Sequence, residues 1–300
     1  MAILNSDNNL QQLQQNLNIS KLPSTIKIST ITITCHVDVK FNIANISKYL
    51  DLSNNIIAIK SLELIRSNMP IKKTRKTKTK KIKKNAFYNQ VSISVGKTKG
   101  ILNIKLFING AIQITGCKSY EDFVFGMETL FKNLKNVNKG KFNRDTMQIE
   151  NICYIDNMPQ CENNLSIEKI KNIKIAMINS NYKIKHRIDR EKLFSLMINQ
   201  KIKCSYDPII HACVNIKFEK NKQKCASIFV FEGGTIIITG AQTIFQILDA
   251  HNFIDNYIKT YFSSINKRTI ENENGLQIDN ESVLDSIIRK CKLPICATKQ

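Results

Sequence analysis

Nowhere does this chain hold about 18 apolar residues in a row, the length that a membrane-spanning helix needs, so no such helix is predicted. Its start, MAILNSDNNLQQLQQNLN, lacks the apolar segment of a secretion signal and reads as a polar tail. The nine cysteines include no CxxC pair. Cys291 and Cys296 stand closest together, without a nearby histidine, so free thiols in a reducing intracellular compartment are expected, not a zinc site. The four histidines, His36, His186, His211 and His251, are far apart. There is no phosphate-binding loop, no GxSxG and no HExxH. Glu121 and Asp122 read as acids at a helix start, where the helix dipole favours them, and not as an acid–base pair. These absences argue against an enzyme and call for no metal or cofactor. Acidic residues are also scarce, 24 Asp and Glu against 45 Lys and Arg, for a net charge of +21. The excess points to a polyanion, with nucleic acid ahead of an acidic membrane surface. A bias to Asn, Ile and Lys, typical of AT-rich genomes, contributes to it, so the charge is supporting evidence only.

What the chain does contain is a repeat. Residues 101–116 read ILNIKLFINGAIQITG and residues 225–240 read CASIFVFEGGTIIITG. Each is an alternating strand ending near Phe, a glycine turn, a second alternating strand and Thr-Gly. Asn109-Gly110 and Gly233-Gly234 predict two-residue hairpin turns. Helix-capping patterns follow, Ser119-x-x-Asp122 and Thr243-x-x-Gln246. Apolar residues then recur at helical spacing, at Phe123, Met127, Leu130 and Leu134 and at Ile247, Leu248, Ile254 and Ile258. Upstream, each hairpin is preceded by another strand and a helix. The chain therefore divides into a disordered tail (1–22), repeat one (23–136), a linker (137–172), repeat two (173–263) and a C-terminal tail (264–300). Within repeat one, KKTRKTKTKKIKK (72–84) is too densely charged to fold alone and reads as a basic insertion.

Alternation assigns the strand residues to two faces. Ile31, Ile33, Cys35, Val37, Leu102, Ile104, Leu106, Ile108, Ile112 and Ile114 share the inner face of repeat one. Ala226, Ile228, Val230, Ile236 and Ile238 do so in repeat two. Thr30, Thr32, Thr34, Asn103, Lys105, Phe107, Gln113 and Thr115 point the other way, as do Ser227, Phe229, Phe231, Ile237 and Thr239. Large apolar groups on an outward face mark a binding surface, unless the linker or a tail covers it. Small hydroxyls and apolar groups suit the minor groove of DNA, whose base edges offer a degenerate acceptor pattern, and Phe can wedge between base steps.

These residues resemble the TATA-box-binding-protein family, in a divergent version of the kind carried by large DNA viruses. LFINGAIQITGCKS and FVFEGGTIIITGAQT are similar to that family's IF-x-SGK-x-x-x-TGAKS, and SYDPIIHACVNIKF (205–218) is similar to SYEPELFPGLIYRM. The resemblance implies an α+β fold: a two-repeat saddle, a curved antiparallel sheet of about ten strands with helices on the convex face. It implies a general transcription initiation factor that binds and bends double-stranded promoter DNA through the minor groove, with a transcription-factor-IIB-like protein and RNA polymerase as partners. The setting would be the nucleus for a cellular protein, or a viral factory or virion for a viral one. By motif position, Phe107 and Phe231 match the hairpin wedges and Phe87 the second wedge of repeat one. His211 stands where repeat two would carry the other. Thr30 and Met177 replace the groove-reading asparagines, with Asn179 two residues on. Lys217 keeps a phosphate-contacting charge, while Ala111 and Thr235 replace the turn lysines. The alternatives are an interaction scaffold that has lost DNA binding and a glycosylase-like enzyme on a similar fold, which lacks a recognisable catalytic motif here.

Deleting 72–84 is expected to weaken binding by a similar factor on every duplex and to flatten its salt dependence, because lysines in such a run meet phosphates and not base edges. Titrations on several unrelated duplexes at two salt concentrations measure this. A changed sequence preference would contradict the assignment.

Overall fold

The computed structural model describes residues 4–53, 55–62, 64–68, 89–135, 140–143, 147–156, 161–220 and 223–267. Phe87, the basic insertion 72–84 and the C-terminal tail from residue 268 lie outside them.

Helix α1 (Leu4–Asn16) precedes repeat one, which runs β1 (Lys27–His36), α2 (Ile43–Tyr49), β2 (Ile56–Lys60), β3 (Ile65–Ser67), β4 (Gln90–Lys97), β5 (Gly100–Phe107), β6 (Ala111–Cys117) and α3 (Tyr120–Lys135). A small hairpin follows, β7 (Gly140–Asn143) and β8 (Gln148–Asn151). Repeat two runs β9 (Lys171–Lys183), α4 (Arg190–Asn199), β10 (Cys204–Ser205), β11 (Cys213–Lys220), β12 (Gln223–Phe231), β13 (Thr235–Ala241) and α5 (Ile244–Thr260), then α6 (Phe262–Ile265).

Among the described residues, eleven strands pair into one sheet in the order β10-β11-β12-β13-β9-β1-β6-β5-β4-β2-β3. Read outward from the β9–β1 pair, the series β13, β12, β11 on one side answers β6, β5, β4 on the other. Inner-face residues are fully buried, among them Ile33, Leu102, Ile104 and Ile114 in repeat one and Ile228, Val230, Ile236 and Ile238 in repeat two. Helix α3 packs on β5 and β6, and α5 on β12 and β13. Their apolar stripes meet the sheet: Phe123, Met127, Leu130 and Leu134 are all buried, as are Ile247, Ile254 and Ile258. Ser119 and Thr243 cap these helices, accepting from Asp122 N and Gln246 N.

Several expectations are corrected. The curved saddle is not formed: the sheet is open, ending at β10 and β3, and is not strongly curled. Strong curling needs bulges or glycine kinks repeated across a sheet. Here most register shifts lie around the central strands, with single shifts in the outer β2–β4 and β11–β12 ladders, while the β4–β5, β5–β6 and β12–β13 ladders run without one. The N-terminal segment is not structureless. In α1 and just after it, Leu13 and Leu17 share a face at helical spacing and are buried. That helix packs on β9, and beyond it the Lys21 ammonium lies 4.7 Å from the centre of the Phe245 ring on α5. The described end of the C-terminal tail completes repeat two. Ile265 is fully buried, its carbonyl accepts from Asp189 N at 2.7 Å, and Asn266 bridges to Ile188. The linker carries β7 and β8 and buries Ile152, Tyr154, Ile155 and Leu165. It docks beside α2, where Tyr154 O accepts from Asn42 N and Cys153 O from Asn45 Nδ2, both at 2.9 Å.

The hairpin turns are three residues long, not two. Gly110 N donates to Phe107 O at 3.0 Å and Gly234 N to Phe231 O at 3.1 Å. Only the last turn residue is left-handed, Gly110 at φ 87° and Gly234 at φ 79°, which fits a tight turn followed by a left-handed glycine. Ile108 consequently sits in the turn, exposed, instead of on the inner face. Each glycine also presses on the chain that leaves the first strand of its repeat. A Cβ on Gly110 would lie 2.2 Å from Val37 O, and one on Gly234 2.5 Å from His186 O. Gly110→Ala and Gly234→Ala should each destabilise the fold by roughly 2–5 kcal/mol, from left-handed strain plus overpacking against backbone. Thermal or urea melts read the effect, and a loss below about 1 kcal/mol for both would refute this account of the turn.

Candidate nucleic-acid interface

Cross-strand register sets the outward side chains in rows. Thr32 is the Cα partner of Thr115 on one side and of Met177 on the other, and Thr115 pairs with Asn103, which pairs with Ser94. A second row runs Ser92, Lys105, Gln113, Thr34. Repeat two answers with Lys217, Ser227, Thr239 and with Asn215, Phe229, Ile237, Asn181. Phe107 lies opposite Gln90, and Phe231 opposite Cys213. The two phenylalanines thus stand at equivalent places near the two ends of one face.

Most of the candidate residues are half-buried there: Thr30, Thr34, Lys105, Phe107, Gln113, Thr115, Asn179, Lys217, Phe229, Phe231, Ile237 and Thr239. Thr32 differs. It is only 6% exposed, with its hydroxyl 3.4 Å from that of Thr115, so it supports the surface more than it forms it. His211 is exposed in the turn before β11. Phe87 lies outside the described residues.

At the centre of the face Thr30 and Asn179 are direct cross-strand partners. The Thr30 hydroxyl accepts from Gly116 N at 3.0 Å, which leaves its own proton to donate. Thr239 donates to Asn179 Oδ1 at 2.5 Å. That bond turns the Asn179 amide so that its NH2 donors remain for an acceptor outside. Lys217 Nζ rests 3.3 Å from Ser227 Oγ. The centre of the surface therefore offers donors from Thr30 and Asn179, held by bonds within the sheet, beside the apolar Met177. The described helices α3 and α5 cover the opposite face.

Against proteins of known sequence, the chain is 35% identical over 260 residues to a TATA-box-binding protein-like protein of Acanthamoeba polyphaga mimivirus, a match that covers 80% of this chain and 66% of that one. The chain belongs to the TATA-box-binding-protein-like family. It is a divergent member, similar to a viral one, and it spans just under two thirds of that relative's length. No family model matches the sequence. Among solved structures, the Methanococcus jannaschii TBP is similar at 15% identity and a TM-score of 0.48, over 78% of this chain and 98% of that chain. Among the described residues, no group of three or more His, Cys, Asp or Glu is placed to hold a metal.

Sequence reasoning missed several features of this family member's surface. Ser92, Ser94, Asn181 and Asn215 share the outer face, and the alternation in VSISV could have revealed the first two. It also missed the support behind Phe231. Glu232, one residue on, is buried and accepts from Arg187 at 2.5 Å, Arg190 at 2.8 Å and Lys267 at 2.8 Å. These partners come from the segment after β9, the start of α4 and the chain beyond α6, contacts that no local pattern announces. Burial pushes the Glu232 carboxyl up, but hydrogen bonds from Lys267 and Arg187 and the charges of Lys267 and Arg190 outweigh it, and its pKa falls below the ordinary 4.5. A depressed folded-state pKa contributes stability that is complete above the ordinary value and is lost as pH falls through the depressed one. Melting temperatures of the native chain should accordingly drop in acid more steeply than those of Glu232→Gln. Parallel pH profiles below 4.5 would contradict a stabilising role for the cluster.

Proposed function

We propose that the chain binds duplex promoter DNA with the outer face of its sheet, entering from the minor groove and bending the duplex, as a transcription initiation factor. The observation that supports this reading is the placement of Phe107 and Phe231 at equivalent places on one face whose middle includes the donors of Thr30 and Asn179. Minor-groove base edges present acceptors, at A·T pairs acceptors alone, and donors such as Thr30 and Asn179 complement them. Lysines on the face, Lys105 and Lys217, neutralise phosphates, and the +21 net charge steers the approach. Because the sheet is open and weakly curled, the deformation falls on the DNA. The minor groove, about 6 Å wide, must open to admit a sheet, and inserted side chains make the opening cheaper by unstacking end steps. The candidate set for contact is Thr30, Thr34, Lys105, Phe107, Gln113, Thr115, Asn179, Lys217, Phe229, Phe231, Ile237 and Thr239, with Thr32 behind them. The partners proposed with this function are a transcription-factor-IIB-like protein and RNA polymerase, in a viral setting such as the factory or virion.

The deciding variant is Phe107→Ala. A wedge that faces outward can be removed without harm to the core, so bending should decrease and dissociation quicken while the melting temperature holds. Truncating a core Phe instead costs about 3–5 kcal/mol. Bend angle by end-to-end energy transfer and thermal stability are to be measured on the same preparation. Full bending together with a large fall in melting temperature would defeat the wedge assignment.

A further inference from the structure

Two matching rows of side chains cross the outer face, one in each repeat. In repeat one the Cα partners run Ser92, Lys105, Gln113, Thr34 and end at Lys174 on β9. In repeat two they run Asn215, Phe229, Ile237, Asn181 and end at Lys27 on β1. The outer places of the rows agree in kind, with small polar groups and a lysine. The two middle places do not: Lys105 and Gln113 answer Phe229 and Ile237. All four are half-buried and alternate along their strands with buried Leu106, Ile112, Ile228 and Ile236, which puts them on the face away from the helices. Among the described residues, Gln113 makes no side-chain hydrogen bond, so both ends of its amide are open to a ligand.

We propose that Gln113 lets the half-site under repeat one accept a G·C pair, whereas Phe229 and Ile237 confine the half-site under repeat two to A·T pairs. The inference rests on the minor-groove reading and deepens it, by giving the two halves of the face different sequence demands. On the minor-groove edge the guanine amino group is the only donor that separates G·C from A·T. Against Gln113, the amide oxygen accepts from that amino group. Turned over, the amide nitrogen donates to adenine N3 or thymine O2, so either pair is satisfied. Against Phe229 and Ile237 the same amino group loses its water and meets no acceptor, and a covered donor without a partner is costly. Thr34 and Asn181, the next residues toward the seam, both carry an oxygen that can accept, so they do not separate the halves. With unlike halves, the protein sits on its site in one direction.

The experiment uses the full chain and a duplex it selects from random sequence. Adenines of the site are replaced one at a time by 2,6-diaminopurine, which adds an amino group in the minor groove and leaves the major-groove edge unchanged. In one half the native chain should tolerate the change within about twofold at the pair against Gln113, and in the other half lose about tenfold at the pair against Ile237. Gln113→Val should create a loss of similar size in the tolerant half. Ile237→Gln should relieve the loss in the opposite half. Both variants should keep the native melting temperature, because the replaced side chains lie outside the core. Equal losses in both halves of the native site, or an unchanged profile in Gln113→Val, overturn the proposal while minor-groove binding stands. A native chain that binds but senses the added amino group nowhere does not enter from the minor groove. Failure to bind any duplex removes the DNA-binding function itself.

Discussion

Hydrogen bonding between β1 and β9 joins the two repeats through their first strands, with Ile31 opposite Ile178 and Thr30 opposite Asn179. Each repeat alone would leave that first strand as a free edge, exposing a row of unpaired backbone groups. Pairing the two edges removes the liability and makes one outer face from two half-faces. The rows of outward side chains, the helix-covered inner face and the separation of Phe107 from Phe231 all follow from that register. Helix α1 packs on the same central strand, β9, so the seam between repeats is supported by chain from outside both.

The two half-faces are related in backbone but not in chemistry. Where repeat one places Lys105 and Gln113, repeat two places Phe229 and Ile237. Where repeat one has exposed Ile108 in its turn, repeat two has buried Glu232 gripped by three cations. Burying one carboxylate is costly unless it is paired and hydrogen-bonded. Arg187, Arg190 and Lys267 meet that condition, and in doing so they tie the segment after β9, α4 and the chain beyond α6 to the tip of one hairpin. Both hairpin turns press a glycine against backbone, Gly110 on Val37 and Val39 and Gly234 on His186 and Ile184; the corner that presents Phe231 is stiffened by charge in addition, while at that of repeat one His36 Nε2 lies 2.8 Å from Asn109 O.

Polar groups on the outer face are likewise committed before any ligand arrives. Thr30 accepts from the backbone of Gly116, and Asn179 accepts from Thr239. Groups held this way lose little freedom on binding, which lowers the entropic cost of an interface. Thr32 and Ser227 go further and are buried, filling the sheet surface instead of reaching from it.

What the sequence determined by itself is whatever repeats at short range. Period-two alternation placed Ile33, Ile104 and Ile228 at the inner face, and helical spacing placed Met127 and Ile254 against the sheet, because each periodicity is a property of the local backbone. The doubled hairpin motif was legible for the same reason. Tertiary structure alone decided the rest. A polar N-terminal segment became α1 because Leu13 and Leu17 found a core to enter. The sheet stayed open and weakly curled because curvature is summed over eleven strands and their registers. Thr32 sank below its neighbours, Ile108 was turned out, and Ile209 was lifted into water on a turn braced by Arg190. For Thr32 and for α1 the deciding partners lie far away along the chain and no local pattern contains them, while Ile108 and Ile209 are set out by the length and bonding of their own turns.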